Sequence, residues 1–140
     1  MFDIFDKSKD ENLTQQEDTL IKITSLLIHA ARVDEHYSEK EKMIITNFLK
    51  SIAPKINHDS IIKRAEENEE NSNQILEYTK EIKKNTIEFR KEIIKVLWKI
   101  ILSDDKSDMY ENTLMRRIAG LLYVSDKVIG EIKLEILNKK

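Results

Sequence analysis

A chain of 140 residues with one proline and two glycines has few means of turning its backbone sharply. Tight hairpins, bulges and left-handed turns lean on those residues, so a β-rich fold is disfavoured and helices joined by short turns are favoured. The apolar residues agree. Leu20, Ile23, Leu27 and Ala31 recur at helical spacing, as do Ile93, Val96, Leu97, Ile100 and Ile101. At this length the expectation is one domain, large enough to bury a core without staples.

Seven helices are expected. The first starts at Thr14, with Thr14 and Glu17 as a capping box, and ends near Val33; His29 falls on its solvated face. Ser38 and Glu41 form a second capping box, and Ile44, Ile45, Phe48, Leu49 and Ile52 give the second helix its buried face until Pro54 stops it. A third helix runs from about Asp59. The run from Glu66 to Asn73 closes it and reads as a solvated loop joining two helical halves. In the fourth, Ile75, Leu76, Thr79 and Ile82 face inward. The fifth begins near Thr86, and its Trp98 is a packing anchor whose indole N–H needs a partner. The sixth buries Leu114, Ile118, Leu121 and Leu122, and its Gly120 marks a close helix approach. Ser125 caps a seventh, where Val128, Ile132, Ile136 and Leu137 cover the core. Residues 1–12 are expected to be a flexible segment ahead of a single domain over 13–140. Its apolar start, Phe2, Ile4 and Phe5, is too short to anchor the chain in a membrane.

The charges are grouped. Asp34-Glu35-His36-Tyr37-Ser38-Glu39-Lys40-Glu41 and Asp104-Asp105-Lys106-Ser107-Asp108-Met109-Tyr110-Glu111 each hold four acids and one lysine. The chain as a whole is −2, so these two octets sit on a mildly basic body. They correspond at a spacing of seventy: Asp34 to Asp104, Ser38 to Asp108, Glu41 to Glu111. Leu27 and Leu97, Ala31 and Ile101, Ile44 and Leu114, Phe48 and Ile118, and Ile52 and Leu122 extend the match. Each repeat is a helix, an acidic turn and a helix, and two such hairpins bury their apolar faces by packing together. The fold expected is all-α, a compact bundle of about seven helices built on these two repeats.

The two turns are also the candidate functional residues. Hard divalent cations want several oxygen ligands, and Asp34, Glu41, Asp104, Asp108 and Glu111 supply carboxylates within two short stretches. The spacing is not that of an EF-hand: counted from Asp104, the third position is Lys106 and the sixth is Met109. Capping accounts for Asp108 and Glu111 without any ligand. Asp34 and Asp104 are different, because an acid at a helix C-terminus opposes the dipole. Either a metal or an arginine answers them. Arg117, its stem beside the apolar stripe of the sixth helix, is the expected arginine, with Arg116 pointing further out.

Other chemistry is poorly served. Cysteine is absent, which removes disulfides and thiolate sites and suits a reducing compartment. The three histidines have no nucleophile or zinc spacing around them, and two isolated glycines cannot form a phosphate loop. The chain is therefore expected not to be an enzyme. The near-zero net charge gives no nucleic-acid face. No apolar run approaches the roughly 20 residues of a membrane span, and the N-terminus lacks a signal pattern. A soluble cytoplasmic protein with a protein partner is the expectation.

The segments Leu27-Ile28-His29-Ala30-Ala31-Arg32-Val33-Asp34 and Val96-Leu97-Trp98-Lys99-Ile100-Ile101-Leu102-Ser103-Asp104, each with a glutamate seven residues after the aspartate, resemble the TerB (tellurite-resistance protein B) family. So does Glu111-Asn112-Thr113-Leu114-Met115-Arg116-Arg117-Ile118-Ala119-Gly120-Leu121-Leu122, over a likeness that spans roughly residues 20 to 137. The resemblance implies an all-helical bundle whose acidic residues bind a divalent metal, calcium or magnesium by preference, in a tellurite-resistance or stress-response setting. It departs where the family has glycine after each first aspartate; here Glu35 and Asp105 stand. With Ser38 in place of an acid, the second turn is the better expected site.

Overall fold

In the computed structural model the chain forms α1 (Leu13–Ala31), α2 (Glu39–Ile52), α3 (His58–Asn71), α4 (Ile75–Lys83), α5 (Ile87–Ile101), α6 (Met109–Leu121) and α7 (Asp126–Asn138). It describes residues 13–32, 37–71, 75–103 and 109–138, without the side chains of 13–15, 71 and 109–112. The expected flexible segment 1–12 lies outside them. Among the described residues there are no strands, and no helix is long and apolar enough to cross a membrane.

α1 is the post around which the others gather. It packs against α2, α3, α4 and α5. Its burial is wider than the one stripe expected: Ile21, Leu26, Ile28 and Ala30 are buried along with Leu20, Ile23, Leu27 and Ala31. A helix apolar on most sides belongs in the interior. Two hydroxyls go in with it. Ser25 donates to the Ile21 carbonyl and accepts from Asn68 of α3 at 3.2 Å, whereas the Thr24 hydroxyl has no partner. The helix begins at Leu13, so Thr14 lies inside it rather than capping it, and Glu17 reaches across to Arg64 of α3.

The other ends follow local chemistry. Ala53 closes α2 ahead of Pro54, and Asn57 accepts from Ser60 N–H to start α3. Thr86 accepts from Phe89 N–H to start α5, and Ser125 from Val128 N–H to start α7. Trp98 is buried, and its indole N–H donates to the Ile129 carbonyl of α7 at 3.2 Å. α2 meets α5 through Phe48 and Phe89, whose rings lie 6.5 Å apart.

Four expectations about the helix faces are overturned. Glu66 to Asn71 continues α3 instead of looping out, and Glu69 within it is buried. Leu76 and Leu137 are exposed, because the neighbours that cover Ile75 and Ile136 do not extend to the adjoining face. Gly120 does not mark a close approach: it is exposed, and a Cβ there would meet nothing within 4 Å. Just past the end of α6, Tyr123 sits at φ 57° and is thus left-handed. Val124 N–H bonds to Ala119 O and Tyr123 N–H to Gly120 O, a Schellman closure with tyrosine where glycine is usual.

Candidate functional site

The residues that flank the two acidic turns come together at one place. α2 starts with Ser38, whose hydroxyl accepts from Glu41 N–H at 3.1 Å while Glu41 Oε1 accepts from Ser38 N–H at 2.8 Å. Both halves of the expected capping box are present, and Glu41 is buried by it. Lys40, one residue earlier and pointing away from the cap, extends to α5. Its Nζ donates to the Ser103 carbonyl at 2.7 Å. Ser103 is itself buried, and its hydroxyl turns back to Ile100 O. Residues 33–36 precede this cap and residues 104–108 follow this serine, so one hydrogen bond joins the borders of the two turns.

The other border of the first turn is a charged cluster. Arg32, just past the end of α1, donates to the buried Glu69 carboxylate and, at 3.4 Å, to Glu66 O. Its guanidinium also lies 5.2 Å from the centre of the Tyr37 ring, within cation–π range. Glu69 meets His29 Nδ1 at 3.1 Å, and Glu66 meets Lys42 at 3.5 Å. His29 is therefore half-buried in an ion-pair network, not on a solvated face. The Tyr37 hydroxyl is buried and makes no hydrogen bond of good geometry. Burial first, then the neighbouring Glu66 carboxylate, pushes its pKa well above the ordinary tyrosine value, with Arg32 opposing.

These contacts place a cation at each of two helix ends. Arg32 stands at the end of α1, and Lys40 Nζ sits on a carbonyl at the end of α5, where a positive charge suits the dipole. Arg117, the expected candidate, is exposed and forms no ion pair among the described residues, and the two aspartates it was expected to answer lie outside them. Of the five carboxylates singled out from the sequence, Asp34, Asp104 and Asp108 lie outside the described residues, as does His36. Glu111 falls in the first turn of α6, and its side chain is likewise outside them. Glu41 is described, and one of its oxygens is committed to the cap. Among the described residues no three His, Asp or Glu side chains are grouped to hold a metal.

Sequence reasoning missed Arg32, Lys40 and Glu69. A signal existed for part of this: His29 and Arg32, and Glu66 and Glu69, are complementary pairs at i, i+3 on their helices. Nothing local signalled the Lys40–Ser103 bond, which spans 63 residues.

The model of the family "Tellurite resistance protein TerB" matches residues 20–134. The chain belongs to the TerB family. No curated protein and no solved structure matches it.

Proposed function

We propose that this TerB-family protein is a non-enzymatic accessory protein that binds a divalent cation where its two acidic turns adjoin, in a stress response of the tellurite-resistance type. The observation that carries this reading is the Lys40–Ser103 bond. A calcium ion takes about six to eight oxygens and magnesium about six. Turns joined at their borders can pool Asp34, Asp104, Asp108 and Glu111 toward such a shell, with carbonyls and waters completing it. Glu41 would contribute by holding the cap that orients the first turn. The donors are all carboxylate oxygens, which suit calcium, magnesium or manganese rather than soft metals.

A second reading has its own support. The Ser38–Glu41 capping box, Arg32 and Lys40 give much of the charge at these borders a structural partner already. On that view the protein is a metal-independent helical module whose acidic turns dock a basic partner.

Thermal melting with calcium, magnesium, manganese or chelator separates the two. A native-state ligand at 100 times its Kd stabilises by about 2.7 kcal/mol. The metal reading expects a rise in Tm that chelator reverses and that Asp104→Asn removes. No response to any of the three ions at millimolar concentration discards it and leaves the interaction module.

A further inference from the structure

The face formed by α4 and α6 leaves apolar side chains open to solvent beside a helix glycine and a left-handed tyrosine. Gly120 weakens α6 by about 1 kcal/mol relative to alanine, yet no side chain uses the space it leaves. Tyr123 holds a left-handed backbone that costs a non-glycine residue about 1–2 kcal/mol, and its ring is 71% exposed. Leu76 on α4 is 64% exposed. These residues share one surface. Leu76, Lys80 and Lys83 follow one another at i, i+4, i+7 on α4. Arg116, Gly120 and Tyr123 do the same along α6 and its cap. α4 packs on α6, and Lys83 Nζ lies 4.7 Å from the centre of the Tyr123 ring.

The surface is basic as well as apolar. The acids of α4 turn elsewhere, Glu77 to Lys22 of α1 and Glu81 to Thr19 and Lys84. Lys80, Lys83 and Arg116 form no ion pair among the described residues. A fitting occupant is a short segment with apolar side chains set between acids. The chain begins with one: Met1-Phe2-Asp3-Ile4-Phe5-Asp6.

The described chain begins beside this face. Thr19 pairs with Glu81 and Lys22 with Glu77, so α1 and α4 run antiparallel. The start of α1 thus points toward the end of α4, where Lys83 meets Tyr123. Twelve residues precede Leu13, enough to reach about 40 Å when extended at roughly 3.3 Å each. The stripe from Leu76 to Lys83 is only about 10 Å long. We propose that residues 1–6 dock on the α4–α6 face, with Phe2 and Phe5 against Leu76, Tyr123 and the open helix surface at Gly120, and Asp3 and Asp6 toward Lys80, Lys83 and Arg116.

Backbone amide NMR of the full chain tests this from both sides. Phe2→Ser combined with Phe5→Ser should shift the amides of Lys83, Gly120 and Tyr123. Gly120→Arg, a change at an exposed position, should in return shift the amides of residues 2–6. Shifts confined to residues 1–16 in the first variant, with residues 2–6 unmoved in the second, overturn the proposal. So does a wild-type spectrum in which Gly120 and Tyr123 move on dilution, since that assigns the face to a second copy.

Discussion

Glu69 and Glu70 are adjacent glutamates in one acidic run, and their environments predict opposite behaviour on truncation. The Glu69 side chain is 8% exposed and meets both Arg32 and His29; Glu70 is exposed to solvent. A hydrogen bond to a charged group contributes about 1.5–3 kcal/mol, and breaking a buried ion pair costs about 3–5 kcal/mol. Arg32 and His29 keep some access to water, at 28% and 17% side-chain exposure, so the lower end of that range applies. Glu69→Ala should cost about 3 kcal/mol. With a urea m-value of about 2 kcal/mol/M, the midpoint falls by roughly 1.5 M. Glu69→Gln keeps the shape and one acceptor, and should cost about 1–2 kcal/mol. Glu70→Ala should stay within about 0.5 kcal/mol of the parent. Equal midpoints for Glu69→Ala and Glu70→Ala would falsify the buried-network account, and a changed m-value would redirect the effect to the unfolded state.

Two further outcomes are expected, alongside the metal response and the amide shifts described above. Gly130 is exposed inside α7, and a Cβ there meets nothing within 4 Å; Gly130→Ala should therefore stabilise by about 1 kcal/mol, seen as a Tm rise of roughly 3–5 °C, and a fall in Tm contradicts the open site. Tyr37, its pKa raised chiefly by burial and next by Glu66, favours the neutral phenol in the folded state. Its contribution is complete below the unfolded tyrosine pKa of about 10 and is lost as pH climbs from there toward the higher folded value. Urea titrations from pH 8 to 11 should show that alkaline loss reduced in Tyr37→Phe, and an unchanged slope rules Tyr37 out as its source.

The seven helices were legible, because each is written in apolar spacing and several in caps that act over three residues. Ser38 with Glu41, Thr86 and Ser125 needed no tertiary knowledge to identify. The need of Trp98 for a partner was legible too, although not that Ile129 would be it. What failed depended on the neighbour. Leu76 and Ile75 are adjacent residues of one helix, and only the placement of α4 beside α1 and α6 decides which is covered. Glu69 looked like part of a polar linker because its acidic run hides the i, i+3 match to His29 and Arg32. The contacts of Arg32 and Lys40 were not legible either, because their partners are 37 and 63 residues away. Separations of that size leave no mark on local composition.

The central position of α1 has a consequence for how the protein is made. α1 is synthesised before every helix that covers it, and α5, which closes one side, ends about seventy residues later. At roughly 5–20 residues per second, α1 waits for about 4–14 s before its last side is covered. During that interval α2, α3 and α4 cover it in turn, and the side that α5 closes is the last left open to a chaperone.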